Sequence, residues 1–425
     1  MKKNYFPQEI FKEITNKTIS ALPNNIGFSN FDDLLFQAKD LRRLESYKNI
    51  PLKTEKKLIF FTWVIPSGLG DLAMQIHISN IIHKKNPKLC IELISLIEER
   101  SIIPKDLKST LPHHIIRYSH PNPPIFSENI LNLLQDAFSI IEIPTAYFDF
   151  FNFKQMIYEN NPHPPIISRI GQYGFINTPD YNPSTKERCM GLYFLEKGII
   201  TLKRTPPKKR DLNTYFAYLI TENGIQTYLL SIFLSRMNDQ TTITIKTPSL
   251  GKILPVLKKM NFANTNIGKV HIKDAEHNTT LEIKKEGKEV KIEQLPPLSP
   301  SKIITLMASS NPFVGVRGDG SFTEALSTDA IFFYDALDHA LPFLTDLENI
   351  ALKELLPYFS LCNYLTQLKN TKTPPPQRAQ TIAELLQCPS LIVGIEKLRN
   401  LLYEKYSFNQ GLNNLIKKNF SLYNR

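Results

Sequence analysis

The stretch that most restricts the fold of this chain runs from Phe313 to Tyr334. Phe313-Val314-Gly315-Val316 reads as a buried strand and Arg317-Gly318-Asp319-Gly320-Ser321 as a glycine-rich turn. Phe322-Thr323-Glu324-Ala325-Leu326-Ser327 then opens a helix, and Ile331-Phe332-Phe333-Tyr334 is a second buried strand. Glycines let a backbone approach a ligand closely, and a helix N-terminus offers N–H donors and the positive end of its dipole. The turn is therefore an anion site at the carboxyl end of a strand, where open α/β sheets bind their ligands.

The rest of the chain repeats this alternation. Leu58 to Val64 is a continuous apolar and aromatic run, as expected of a central strand buried on both faces. Ile65-Pro66-Ser67-Gly68-Leu69-Gly70-Asp71 ends it, and a helix follows to about Lys85 with Met74, Ile78, Ile81 and Ile82 on one face. Strands are expected at 89–96, 115–118, 140–143 and 165–170, with a helix over 127–138. From Phe175 to about Asn213 the pattern weakens into an irregular, partly mobile linker holding Lys208-Lys209-Arg210. A second series begins at Tyr215. It comprises a helix over 226–236, a strand at 241–245, a helix over 251–260, a strand near Val270, a charged hairpin or strand pair over 280–292, and a helix over 301–308. Beyond Tyr334 nearly everything reads as helix. Ahead of all this, Leu34, Leu35, Ala38, Leu41 and Leu44 mark one amphipathic helix.

Strands alternating with helices imply parallel sheets with right-handed crossovers. The expected class is α/β, with two doubly wound Rossmann-like domains and helical extensions at either end. The expected boundaries are a lead-in at 1–55, domains at 56–205 and 206–345, and a C-terminal helical segment at 346–425. A chain of 425 residues has room for both domains. No run of eighteen apolar residues occurs, so no transmembrane helix is expected. The opening MKKNYFPQEIFKEI lacks the apolar segment of a secretory signal. These features imply a protein that is cytoplasmic where it is synthesised, with later export by another route left open. The four cysteines, Cys90, Cys189, Cys362 and Cys388, are widely spaced and read as reduced, mostly buried thiols without a zinc site. The net charge of +11 suits anionic partners, including an anionic membrane surface, but no aromatic-interleaved motif of sequence-specific nucleic-acid binding appears.

Two similar domains, each with a glycine loop after a strand and with trailing helices, resemble the GT-B glycosyltransferases. The likeness is strongest over Pro300 to Ser310, then Val314-Gly315, Gly318-Asp319-Gly320-Ser321 and Glu324-Ala325-Leu326; Gly68-Leu69-Gly70-Asp71 is similar to the glycine loop after the first strand. Within that superfamily the chain resembles the peptidoglycan GlcNAc-transferase and UDP-GlcNAc 2-epimerase branch, which places its Glu at this helix start on the ribose hydroxyls. A short Gly-x-x-Ser-Phe piece is shared with bacterial protein-arginine rhamnosyltransferases. Thr328-Asp329-Ala330 stands where the family commonly has a Gly-Leu-Pro type connector.

The resemblance implies two domains facing across a cleft, and transfer of a sugar from a nucleotide-diphosphate sugar to an unknown acceptor (protein, lipid or glycan) in a bacterial cell. No cofactor and no metal are expected. The alternatives are a nucleotide-sugar epimerase or hydrolase, and a degenerate binding or effector module. The donor would lie on Gly68, Gly70, Gly315, Gly318, Gly320, Ser321, Phe322, Thr323 and Glu324. Glu324 would sit near ribose, the Phe322–Glu324 amides on the diphosphate, and Arg317 would clamp the leaving group. Asp71 is the candidate general base. Gln172, Tyr173, Asp338 and His339 are secondary candidates near acceptor or sugar. Against these stand two plain structural readings: Ser321 and Glu324 form an S-x-x-E capping box, and Asp71 is a helix N-cap. His77 reads as core or surface.

Overall fold

The computed structural model describes residues 55–64, 69–104, 107–118, 126–143, 157, 161–171, 188–191, 202–206, 208–274, 276–337, 340–406 and 408–424. The lead-in helix, Gly68, Gln172, Tyr173, Asp338 and His339 lie outside the described residues. The chain forms two compact units, one of Met1–Ser101, Ser109–Gly191 and Asn409–Arg425, the other of Ile102–Lys108 and Leu192–Phe408. The division thus falls at Gly191/Leu192, against the 205/206 read from the weakening pattern.

In the first unit, β1 (Leu58–Val64) leads to helix α1 (Leu69–Lys85), then β2 (Ile91–Glu98), β3 (His113–Tyr118), α2 (Glu128–Gln135), β4 (Ser139–Ile143), β5 (Ile166–Gly171) and β6 (Arg188–Gly191). The sheet order is β3-β2-β1-β4-β5-β6, and every pairing is parallel. That is the doubly wound order with its reversal between β1 and β4. Six of the seven residues of β1 are buried because helices and neighbouring strands cover both its faces. Helix α1 is held over the sheet by Gln75, whose Nε2 donates to the Phe60 and Ile94 carbonyls at 2.7 and 2.9 Å and whose Oε1 accepts from Ser95 Oγ at 2.6 Å. The stretch expected to be irregular supplies β6, which pairs with β5 from Ser168↔Arg188 to Gly171↔Gly191.

In the second unit the elements are β7 (Thr214–Phe216), α3 (Glu222–Ser235), β8 (Ile243–Thr247), α4 (Leu250–Lys259), β9 (Ile267–Lys273), β10 (Asn278–Glu282), β11 (Lys288–Gln294), α5 (Pro300–Ser309), β12 (Phe313–Val316), α6 (Gly318–Ser327) and β13 (Ile331–Tyr334). Helices α7 (Leu341–Glu354), α8 (Phe359–Lys369), α9 (Pro375–Leu386), α10 (Pro389–Lys405) and α11 (Phe408–Tyr423) follow. Five strands lie in the order β10-β9-β11-β8-β7, and a parallel bridge from Ala217 to Gly315 joins β7 to the β12-β13 pair. Buried Tyr228 on α3 fastens that junction, its hydroxyl donating to the Phe216 and Phe313 carbonyls at 2.8 and 3.0 Å. The segment expected to be a charged hairpin or strand pair does form two strands, but they are not a hairpin: β10 pairs antiparallel with β9, whereas β11 inserts between β9 and β8, parallel to both. Its alternation explains this, since Lys288, Val290 and Ile292 are buried while Glu289 and Lys291 face out.

Two basic residues of the expected linker have structural work. Arg210 donates to the Met307 and Ser310 carbonyls at 3.0 and 2.9 Å and to the Thr328 carbonyl, so it satisfies the acceptor ends of α5 and α6. Arg204 stacks over the Tyr403 ring, 4.8 Å from its centre. The last helix, α11, is part of the first unit rather than of a separate helical segment. Asn419 Nδ2 donates to Ser139 Oγ and Ser168 Oγ at 3.0 and 2.9 Å, and Phe420 packs edge-on against Phe138. Of the three cysteines whose side chains are described, Cys362 is buried, Cys388 intermediate and Cys90 exposed, so burial is not their common state. No described helix is long and apolar enough to cross a membrane.

Candidate functional site

The second unit has its topological switch point between β7 and β12. From β7 the chain crosses through α3 to β8 on one side, and from β12 it crosses through α6 to β13 on the other. Crossovers that leave in opposite directions open a crevice at the carboxyl ends of the two strands. Two loops face that edge, Ala217–Thr221 and Arg317–Ser321. They are adjacent, because Tyr218 N–H donates to the Gly315 carbonyl at 2.9 Å and Asp335 N–H donates to the Val316 carbonyl at 2.8 Å.

The start of α3 is closed from within. Asp335, 2% exposed, accepts from the Ile220 and Thr221 amides at 2.7 and 2.9 Å and from the Thr221 hydroxyl. Thr221 Oγ1 in turn accepts from Gly224 N–H at 2.9 Å. Position 224 has to be glycine, since a Cβ there would stand 2.1 Å from Asp335 Oδ1. An internal carboxylate thus occupies the positive end of α3.

The start of α6 is built differently. The helix begins at Gly318, whose φ of 75° is a left-handed conformation suited to glycine, and the side chain of its N-cap residue Arg317 makes no capping bond. This corrects the capping-box reading: Ser321 is the fourth helical residue, not the N-cap. Its Oγ accepts from Arg317 N–H at 3.0 Å and donates to the Arg317 carbonyl, pinning the turn. The assignment of anion-binding amides moves with it. Amides of a first helical turn belong to Gly318–Ser321, whereas those of Phe322, Thr323 and Glu324 lie inside the helix. Arg317 stands immediately before the helix in extended conformation, and its guanidinium has no hydrogen bond or ion pair among the described residues.

Other expected donor residues are packed into the fold. Phe322 is fully buried against Phe332, Tyr334 and Phe343, worth on the order of 2–3 kcal/mol of stability. Thr323 is buried and donates to the Gly320 carbonyl at 2.8 Å. Gly315 lies within β12, where a Cβ would meet the Leu219 side chain at 3.1 Å. A Cβ at Gly320, by contrast, would meet nothing within 4 Å. Glu324 is half-buried, and desolvation pushes its carboxyl up to about 8. Its carboxyl has no hydrogen-bond or ion-pair partner among the described residues.

In the first unit the switch point lies between β1 and β4, whose ends are tied by Thr62 Oγ1 donating to the Ile143 carbonyl at 2.8 Å. Asp71 is at this edge. It is 8% exposed and is the third residue of α1, inside the first turn rather than at the N-cap. Gly70 is exposed beside it, with open space where a Cβ would go. Glu142, fully buried on β4, stands at the same edge and was not singled out from the sequence. His77 is mostly buried along α1, and burial pushes its pKa down to about 4, so it is neutral at pH 7. Asp335 also escaped the sequence reading, which passed over it for Asp338. The available signal was a carboxylate placed directly after the last strand.

No family model matches the chain, and no curated protein matches it. Among solved structures, a Thermobaculum terrenum O-GlcNAc transferase mutant is similar at 10% identity with a TM-score of 0.44, over 91% of this chain and 73% of that one. An alpha-glucosyltransferase in complex with UDP and DNA is similar at 10% identity and TM-score 0.45, over 88% of this chain and 100% of that one. An OtsA apo structure is similar at 10% identity and TM-score 0.46, over 86% of this chain and 99% of that one.

Proposed function

We propose that this chain is a glycosyltransferase of the GT-B type, moving a sugar from a nucleotide-diphosphate sugar to an acceptor. The observation that carries the reading is the uncapped start of α6 at the switch point, with Glu324 two turns in. The Gly318–Ser321 turn and Arg317 suit a diphosphate, whose charge grows as it leaves and which needs neither cofactor nor metal if these groups offset that charge. A carboxyl with a pKa near 8 is mostly protonated at pH 7. It can therefore stand close to a diphosphate without repelling it, and can both donate to and accept from the hydroxyls of a ribose. Asp71, at the corresponding edge of the first unit, is the candidate to take the acceptor's proton.

The test is a thermal-shift screen of UDP-, GDP- and dTDP-sugars, followed by mass analysis of acceptors and spent donor. Ligand that binds the native state raises the unfolding temperature by mass action. The expected result is a shift with one nucleotide class, and a transfer product that Asp71→Asn abolishes while the shift persists. Donor breakdown without any modified acceptor would replace transferase by hydrolase or epimerase. No shift with any of the panel refutes the reading.

A further inference from the structure

Arg378 lies in the first turns of α9 and is 2% exposed. Helix α9 runs beside α3 in the same direction: Gln387 Nε2 donates to the Ser235 carbonyl at 3.1 Å where both helices end, and at the opposite end Arg378 feels the charge of Asp335. The guanidinium therefore sits at the switch-point edge, beside the start of α3. It makes no hydrogen bond and no ion pair among the described residues, and its Nε is sealed from solvent without an acceptor. Burial lowers its pKa only to about 10, with Asp335 opposing the fall, so it remains charged at pH 7.

A cation that is 2% exposed and has no ion pair among the described residues is a costly arrangement, and an Nε–H sealed from solvent without an acceptor is rare in a folded protein. Asp335 does not resolve it, because its carboxylate already serves the Ile220 and Thr221 amides and the Thr221 hydroxyl. Counting side-chain charge at this edge, the dipole of α3 is answered by Asp335, whereas Arg317 and Arg378 have no ion pair among the described residues. That surplus suits an anion with more than one negative charge.

We propose that Arg378 is the buried cation of the donor site, completed by a phosphate group of the bound diphosphate. For the identity of the ligand this rests on the nucleotide-sugar reading; the anion site itself is testable alone. A guanidinium there gives bidentate, geometrically fixed recognition of phosphate oxygens. Arg378 contributes to ground-state binding of the diphosphate, in addition to the α6 turn.

The probe is inorganic pyrophosphate, with orthophosphate alongside, titrated into the full chain and into Arg378→Met and Arg378→Lys, with unfolding temperature and affinity both recorded. Wild type is expected to bind pyrophosphate more tightly than orthophosphate. Arg378→Met is expected to lose at least tenfold in pyrophosphate affinity while the ligand-free protein is as stable as wild type or more so. Arg378→Lys should keep part of the affinity. Loss of ligand-free stability in both variants would make Arg378 a structural cation and overturn the proposal. So would unchanged pyrophosphate affinity in the variants, or no binding by wild type. Nucleotide-diphosphate sugars in parallel wells separate the two ideas. Sugar nucleotides that bind independently of Arg378 leave the function standing and remove this residue. Arg378-dependent pyrophosphate binding without any sugar-nucleotide binding does the reverse.

Discussion

Two helices begin at the switch point of the second unit, and they satisfy their first turns in opposite ways. Helix α3 takes a buried carboxylate from a distant strand, a threonine cap and a glycine that makes room for both. Helix α6 has a left-handed glycine, a serine that pins the turn to itself, and no side-chain cap. A helix end answered by the protein's own groups is architecture. A glycine-built end with no N-cap side-chain bond, beside an Arg317 with no ion pair among the described residues and a half-buried carboxyl, is the end at which we place the ligand.

The contrast can be broken most forcefully at Asp335. Asp335→Ala leaves two amides and a hydroxyl unanswered in the interior, and should cost about 3–5 kcal/mol of unfolding free energy in denaturant titration. A loss below 1 kcal/mol would mean that the α3 end is not held from within. Glu324 should show itself in the pH dependence of stability. Its folded pKa, about 8, lies above the reference of 4.5, so the folded state binds the extra proton. Its contribution is intact below about pH 4.5 and declines as pH rises toward 8, by roughly 3 kcal/mol after allowing for its accessible edge. Glu324→Gln should remove that slope; a slope unchanged in the variant would contradict the burial argument. The smallest effect belongs to Ser321→Ala, about 1 kcal/mol from the lost hydrogen bonds that pin the turn. A capping-box pair would instead make Ser321→Ala and Glu324→Gln equally destabilising at pH 7.

Much of this was legible in the sequence because local physics dictated it. Continuous apolar runs such as Leu58–Val64 and Ile331–Tyr334 can only be strands covered on both faces, and the glycines after Val316 announced the turn. Local pattern misled where two readings share residues. Ser321 and Glu324 have capping-box spacing, but Gly318 can take a positive φ, and so the helix starts three residues earlier. The stretch 280–292 reads as a charged hairpin or strand pair because the charged residues of β11 sit mainly on one face of a strand whose other face is core. What stayed hidden depends on long-range contacts. Asp335 meets Thr221 across 114 positions, and Asn419 meets Ser139 across 280. No periodicity encodes such pairings, and Arg378 likewise acquires its meaning only once α9 lies along α3.

The most direct measurement of the central claim is donor affinity in Gly320→Asp. A Cβ at position 320 meets nothing within 4 Å, and an acidic residue in a first helical turn complements the dipole, so folding stability should stay within about 1 kcal/mol of wild type. The added negative charge should nonetheless stand where the donor diphosphate binds. The expected result is at least a tenfold loss of affinity for the nucleotide-diphosphate sugar by calorimetric titration. Wild-type affinity in a stably folded Gly320→Asp protein would contradict it.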